Sequence, residues 1–380
     1  MKRESAMGNI SKGYKQTEVG VIPEDWEVKK LGEITRIFVG RDLKEVNFSS
    51  YQDNIYQYPV YSNTVDNDGR YGYYNISEYQ GDSLTIVGRG VGLGTAFKRN
   101  GGYGAIGRLL VLFPDRKVDT GYLTEYINHR VKIFEESSGI PQLTGISIAK
   151  YNIPLPTTRA EQTAIAAALS GADAIISSLE KLIAKKRNIK QGAMQQLLTG
   201  KKRLPGFSGK WEVKKLGEIT LSVASGKSNT QSKEGKYPIY GSTGIIGWRN
   251  VYDYEGNKIL IARVGANAGT VNKVSGKYCV SDNTLMVSLQ SNIDIDFIFF
   301  KLINYQLNRL VFGSGQPLIT AGQLKNLKFS LPSKEEQTRV SQILSDMDAE
   351  IEVLEKKLNK YKMLKQGMMQ ELLTGKTRLV

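Results

Sequence analysis

The chain has 380 residues, with 52 Lys and Arg against 37 Asp and Glu, for a formal net charge of +15. One cysteine, Cys279, and one histidine, His129, exclude a disulfide framework, a multi-cysteine or histidine zinc site and most nucleophile–imidazole pairs. Apolar runs fall far short of the ~18 residues that span a bilayer, no apolar leader follows Met1, and the positive balance points to a polyanion, so nucleic acid rather than membrane and a cytoplasmic location are expected.

In chain order, the lead-in Gly20–Trp26 (GVIPEDW) opens onto WEVKKLGEIT at Trp26–Thr35, a string that recurs unchanged at Trp211–Thr220. A first insert follows. It holds Tyr58-Pro59-Val60-Tyr61, an apolar strand at Leu84–Val87 running into Gly90–Thr95, and a second strand at Leu109–Phe113. A helix over Tyr122–Phe134, in which His129 takes a surface or core role, and a Ser-Gly-x-Pro turn at Ser138–Pro141 complete it. The extended Ile153–Pro156 precedes a long helix starting near Glu161, because proline biases its predecessor away from helical backbone. Ile165, Leu169, Ala172, Ile176, Leu179 and Ile183 then advance by steps of four and three, the 3.5-residue repeat of a coiled coil. Gly200 supplies a left-handed cap.

The second copy repeats the plan with different residues. Tyr237-Pro238-Ile239-Tyr240, the strand Ile259–Ala262, Gly265–Thr270, the strand Leu285–Leu289, a helix over Phe297–Leu310 and the turn Ser314–Pro317 follow in the same order. After Leu331-Pro332 a second long helix carries Val340, Leu344, Met347, Ile351, Leu354, Leu358, Tyr361, Met368 and Leu372 in the same register. Its end, Leu364–Leu379, matches Ile189–Leu204 at twelve of sixteen positions. A first helix of ~57 Å must be met by a returning partner, so the two helices pair antiparallel. The first copy runs on from Arg203-Leu204 through Pro205 to Trp211, whereas Arg378-Leu379-Val380 stops and its continuation stands at Val21–Trp26, as in a ring cut open. The expected fold is α+β: two mixed α/β domains separated by two long antiparallel coiled-coil helices, with an internal pseudo-twofold repeat and circular organisation. The expected boundaries are 1–158 for the first domain, 159–200 for the central spacer helix, 201–332 for the second domain and 333–380 for the distal spacer helix.

Several strings imitate chemistry. Gly88–Gly94 (GRGVGLG) lacks the following amphipathic helix and the ribose-binding acid of a dinucleotide site, and reads as a tight strand–strand connection. Gly226-Lys227-Ser228 copies the tail of a phosphate loop, yet Leu221 stands where its first glycine belongs. Glu27-Val28-Lys29 and Glu212-Val213-Lys214 match half of a nuclease motif, but no acid lies between Glu180 and Glu212, and the repetition beside a tryptophan suggests a structural seam. No Asn-Pro-Pro-aromatic motif of adenine methyltransferases is present, and no catalytic or metal constellation is visible.

The GVIPEDW lead-in, the WEVKKLGEI seam, the helix starts Pro156…Glu161-Gln162 and Pro332…Glu336-Gln337, and the two KQGxMQxLLTGK helix ends together resemble the specificity subunit of a type I restriction–modification system over nearly the whole chain. The resemblance implies two target recognition domains, each reading one half of a split double-stranded DNA sequence. It implies helices that act as spacer and as docking surface for two methyltransferase subunits. Restriction subunits join in the full complex. The chain itself is then a non-catalytic subunit without cofactor; S-adenosylmethionine, ATP and Mg belong to its partners. A stand-alone two-domain DNA-binding regulator is the alternative, and a self-sufficient nuclease or methyltransferase lacks its motifs.

Direct readout needs side chains free of the core, so candidate DNA contacts come from loops. Insert one offers Arg70, Arg89, Lys98, Arg99 and Arg108 on Gly-rich connections; insert two offers Lys227, Trp248, Arg249, Arg263, Lys273 and Asn283. Arg89 and Arg263 flank equivalent glycine turns, and Arg108 aligns with Asn283. Each is equally readable as a phosphate contact or a solvated charge. Ile175, Leu182 and Ile343 flank the helix seam and are expected to be covered by partner helices.

Overall fold

The computed structural model describes residues 11–131, 142–228, 233–311 and 318–379. The Ser-Gly-x-Pro turns expected at 138–141 and 314–317 lie outside them, as does the end of the helix expected to reach Phe134. The chain divides into two units, Met1–Ser178 with Leu358–Val380, and Leu179–Lys357. The division falls inside both long helices, because each unit takes a half of each helix into its own core.

In the first unit the copied seam forms strand Glu27–Lys30, paired antiparallel with Asn152–Leu155, and runs straight into the short helix α1 (Leu31–Ile34). Four antiparallel strands then lie in the order Ala96–Arg99, Ser83–Ile86, Leu110–Pro114, Thr35–Val39. The two central strands are buried, so Leu84, Ile86, Leu110 and Leu112 read as apolar runs and pack against α2 (Thr120–Arg130) through Tyr122 and Leu123. Asp119 caps α2 by accepting a hydrogen bond from Tyr122 N at 2.9 Å. A second sheet orders Phe48–Ser49, Arg70–Tyr74, Tyr58–Tyr61, Gly102–Ala105 and Tyr79–Gln80, with Tyr58–Tyr61 and Gly102–Ala105 parallel. The one-turn helix α3 (Gly145–Ile148), capped by Thr144, precedes the start of α4 (Arg159–Leu197), whose Ile165 and Leu169 complete the core.

The second unit has the same plan. Strand Glu212–Lys215 pairs with Lys328–Leu331 and enters α5 (Leu216–Ile219). Its main sheet orders Thr220–Ser225, Thr284–Leu289, Lys258–Ala262 and Val271–Val274. The other orders Gly244–Arg249, Tyr237–Gly241, Lys277–Val280 and Tyr254–Glu255, again with one parallel pair at Ile239–Cys279. Helix α6 (Ile295–Tyr305), capped by Asp294, packs on the main sheet, and α7 (Ala321–Lys325) leads to α8 (Lys334–Leu372). The helix expected over Phe297–Leu310 is interrupted: Gln306 adopts φ 59°, and Leu307–Leu310 forms a separate 3-10 turn.

Within each unit α4 and α8 run antiparallel. In the first unit Glu161 meets Arg378 at 2.5 Å and Asp173 meets Lys365 at 2.5 Å; in the second, Lys190 meets Asp348 at 2.5 Å and Arg203 meets Glu336 at 2.6 Å. As one residue number rises its partner's falls. The 3.5-residue repeat buries Ile165, Leu169, Ala172, Leu179 and Ile183 of α4, and Val340, Leu344, Ile351 and Leu372 of α8. Gly200 takes the left-handed φ of 73° expected of a helix cap, and Gly375 does the same at 69° after α8. A Cβ on Gly200 would touch Trp211 at 3.4 Å, and one on Gly375 would collide with Pro23 and Trp26. Each seam tryptophan therefore sits against a helix end whose left-handed backbone favours glycine, and at Gly375 the close approach of Pro23 leaves no room for a side chain. No described helix is long and apolar enough to cross a membrane.

One lysine in this frame is buried among aromatic rings. Lys301 on α6 is 8% exposed and lies 5.2, 5.5 and 5.9 Å from the ring centroids of Trp211, Phe297 and Phe329. Tyr126 holds the matching place on α2, the same distance beyond the capping aspartate. Burial pulls the Lys301 ammonium from 10.5 down to about 8. Below that pH the folded protein carries the cost of a buried charge. Between about 8 and 10.5 the unfolded chain still holds a proton that the folded one has lost, so stability rises with pH across this window. Lys301→Met is expected to stabilise the protein at pH 7, by at most about 3 kcal/mol less the lost attraction of the rings, and to flatten that rise. Urea denaturation at pH 7 and pH 10 measures both; a variant weaker at pH 7 with the parent's pH slope would contradict it.

Candidate functional site

Of the candidate contact residues singled out in the sequence, Arg89, Arg108, Lys227, Arg263 and Asn283 fall at connections next to strands of the main sheets, whereas the others lie on strands. Gly88–Gly94 joins Ser83–Ile86 to Ala96–Arg99, with Gly90, Gly92 and Gly94 all at positive φ, so the string is a strand connection as expected. Arg89 on it is exposed and forms an isolated bridge with Gln142. Arg108 is exposed at φ 70°, a conformation non-glycine residues seldom adopt, in the turn before Leu110–Pro114. Arg70 opens its strand, exposed, and donates to Asn67 Oδ1 at 3.0 Å. Lys98 is exposed on the outer strand of the main sheet rather than on a connection.

Arg99 departs from the expectation. It belongs to strand Ala96–Arg99, is 6% exposed, donates from Nε to Thr85 Oγ1 at 2.9 Å and from Nη2 to Asp68 O at 2.6 Å, and lies 3.5 Å from the Tyr61 ring centroid. Burial lowers its pKa from the ordinary arginine value. Its donors face inward, so it is a structural tie rather than a free loop cation.

In the second unit, Lys227 and Asn283 are exposed on connections. Trp248 and Arg249 instead lie half-buried in strand Gly244–Arg249, and Arg249 pairs with Asp253 at 3.1 Å. Lys273, on strand Val271–Val274, is ion-paired with Asp296 of α6. Arg89 and Arg263 flank equivalent glycine turns, with Gly90 matching Gly265, but stand one residue apart in that match. Gly88 O accepts from Leu143 N at 2.8 Å, and Arg263 O accepts from Ile319 N at 2.9 Å, so Arg263 matches Gly88 while Arg89 matches Val264, which bridges Leu318. One residue of offset in extended backbone turns a side chain to the opposite side. Arg263 is accordingly half-buried, and its Nε, enclosed, has no hydrogen-bond partner among the described residues. Arg108 and Asn283 do match: each directly precedes a residue, Leu109 or Thr284, whose carbonyl accepts from Gly40 or Gly226.

That pairing brings in a residue the sequence alone did not single out. Arg41, exposed, follows Gly40 as Lys227 follows Gly226, and its N–H and C=O bond to Ala105 and Gly107 at 3.0 and 2.9 Å. Arg36, Arg41 and Lys44 also line a cleft of about 490 Å³ with Phe38, Tyr79 and Phe113. Only the duplicated Gly40/Gly226 position could have flagged Arg41, and the flanking residues have diverged too far to reveal it.

Of the helix-flanking residues, Ile175 and Leu182 are 41% and 37% exposed, each within its own unit. Ile343 is not: it packs against the core of the second unit, because its stripe faces the domain and not solvent. Met363 and Leu364, 73% and 51% exposed, edge an apolar groove of about 520 Å³ with Ala168, Met368, Leu372 and Leu379 in the first unit.

The family model for the type I restriction modification DNA specificity domain matches residues 23–191 and again 208–362. A putative type I restriction enzyme MjaX specificity subunit from Methanocaldococcus jannaschii is 27% identical, the match covering 96% of this chain and 97% of that protein. The MjaVIII specificity subunit of the same organism is 26% identical, covering 94% of each chain. The crystal structure of a type I restriction–modification S subunit from M. genitalium shares the fold with a TM-score of 0.70 at 17% identity, covering 91% of this chain and 96% of that one.

The placement of the arginines separates stability from surface chemistry. Arg99→Leu, which strips donors from Thr85 and the Asp68 carbonyl, is expected to cost about 1–3 kcal/mol. Arg89→Ala and Arg108→Ala, both exposed, are expected to stay within about 0.5 kcal/mol of the parent. Chemical denaturation monitored by tryptophan fluorescence measures all three; equal losses would contradict the division.

Proposed function

The chain belongs to the type I restriction–modification DNA specificity family, and on that premise we propose that each of its two units reads one half of a split double-stranded DNA sequence. The observation that carries the reading is the contrast between frame and loops. Apart from the edge strand Phe48–Ser49, sheet order repeats from unit to unit, as do helix caps and helix-end locks, whereas the cationic and polar residues on matched connections differ: Gly88 against Arg263, Arg89 against Val264, Arg108 against Asn283. Exposed Arg and Asn suit guanine and adenine edges in the major groove, and the net charge of +15 suits phosphates. Among the sequence candidates, Arg70, Arg89, Lys98, Arg108, Lys227 and Asn283 keep exposed positions suited to such contacts.

The helices serve two roles in this reading. α4 and α8, each 39 residues or ~58 Å long, contribute to both units and set the unread gap between half-sites. Their uncovered apolar side chains, Ile175, Leu182 and Leu364 among them, receive helices of two methyltransferase subunits, one per unit. Those partners carry the adenine-N6 chemistry with S-adenosylmethionine, and restriction subunits add ATP- and Mg-dependent cleavage. A chain that co-purifies with no methyltransferase would favour a stand-alone regulator instead.

Two experiments test this reading. Exchanging residues 221–330 for the insert of a relative is expected to change one half of the methylated sequence and leave the other; change in both halves would contradict independent reading. Inserting seven residues into both helices, near Lys185 and Lys360, keeps the apolar stripe and adds ~10 Å, about three base pairs of rise. The unread gap is expected to lengthen while the half-sites persist. An unchanged gap with full activity would show that the helices do not set it.

A further inference from the structure

The Asn63 carboxamide bridges the two loops of the first unit that carry Arg89 and Arg108. Its Oδ1 accepts from Gly88 N at 2.8 Å, and its Nδ2 donates to Gly107 O. Gly88 directly precedes Arg89, and Gly107 directly precedes Arg108. The partners fix the orientation of the amide, since a backbone N–H needs the oxygen and a carbonyl needs the nitrogen.

Each loop is also held from its other side. Gly88 O accepts from Leu143 N at 2.8 Å, and Gly107 N donates to Arg41 O at 2.9 Å. Loss of Asn63 therefore leaves the loops joined through the antiparallel pairing of Ile86 with Leu110 and removes the side-chain tie between Gly88 and Gly107. In the second unit the same two loops are joined without a side chain: Arg263 N donates to Asn283 O at 3.0 Å. Ser242 stands where the aligned Tyr61 and Tyr240 place the counterpart of Asn63. Beyond the strand pairing that both units share, one frame thus adds a backbone bond between these loops and the other a replaceable amide.

We propose that Asn63 is a positioning residue for DNA reading: it fixes the separation of Arg89 and Arg108, so that the two guanidiniums address the first half-site as one coupled pair. The proposal rests on the functional reading above. A pair locked at one spacing discriminates at two base positions together, because a shift of either loop displaces its guanidinium from a bidentate contact.

The test is competition binding of the chain assembled with its methyltransferase partners, using duplexes that carry each single-base change in the methylated site. Asn63→Ala is expected to relax preference, by roughly tenfold or more, at the positions that Arg89→Ala and Arg108→Ala relax singly, with the second half-site close to the parent's and the unfolding midpoint lowered by the loss of two hydrogen bonds. Asn63→Asp supplies a finer readout, since a carboxylate still accepts from Gly88 N but cannot donate to Gly107 O. It is expected to keep the preference tied to Arg89 and lose the one tied to Arg108, a split that a general loss of stability would not produce. Preference unchanged in Asn63→Ala, or a uniform weakening on every duplex, overturns the proposal. So does a first half-site whose preference neither arginine variant relaxes. A parent complex with no preference at that half-site would sink the functional reading itself, which keeps the two failures distinguishable.

Discussion

Each unit is closed by one buried carboxylate at the start of a long helix, paired with an arginine just past the end of the other. Glu161, 3% exposed, accepts from Arg378 at 2.5 and 2.9 Å across 217 residues of chain; Glu336, 2% exposed, accepts twice from Arg203 at 2.6 Å across 133. An enclosed carboxylate without its partner is a heavy liability, so the helix end has to arrive. The neighbouring glutamine extends the lock. Gln162 accepts from Asp119 N at 2.8 Å and donates to Pro156 O at 3.0 Å, and Gln337 repeats both bonds with Asp294 and Pro332. The Pro…Glu-Gln string is thus a junction where a strand end, a helix cap and two long helices meet.

The two locks are not equal. Arg378 also forms two bonds of 2.8 Å with Asp25, and hydrogen bonds with Glu161 and then Asp25 hold its pKa far above the ordinary arginine value. In turn, the hydrogen bond from Arg378 holds the Asp25 carboxyl below its usual range. Lys210 stands at the position of Asp25 in the second unit, where Arg203 donates to Gly209 O at 2.9 Å instead. The unit assembled from the two ends of the chain has the extra acid. A covalent link from Arg203 through Pro205 to Trp211 does in the second unit what Asp25 and Arg378 do by charge in the first.

Much of this frame was legible in the sequence because it is written in strong local signals. The 3.5-residue repeat, the glycine after each helix and the proline before it each have one backbone reading, and the copied strings located their partners. The loops that carry the candidate contacts were legible only as loops. Whether Arg99 points into the sheet or out of it depends on Thr85 and Asp68, which no spacing rule connects to it. The one-residue offset between Arg89 and Arg263 follows from matching Gly90 with Gly265, and the bridges to Gln142 and Leu318 agree with it; that it leaves Arg89 exposed and Arg263 half-buried emerges only from the fold. Ile343 shows the same limit: the heptad places it beside the seam, and only the domain packed on α8 decides that it is covered. Arg41 and Asn63 were missed because their significance lies in bonds to Gly107, which comes from another strand end.

The central claim is that one chain with a repeated frame and unlike loops reads two separate words of DNA at a fixed separation. The most direct measurement is methylome sequencing of a host that lacks other adenine methylation and expresses this chain with its methyltransferase partners. The account predicts one bipartite motif, two short specified blocks flanking an unread gap of constant length, that disappears when this chain is omitted. A single continuous motif, a gap that varies from site to site, or methylation that persists without the chain would contradict it.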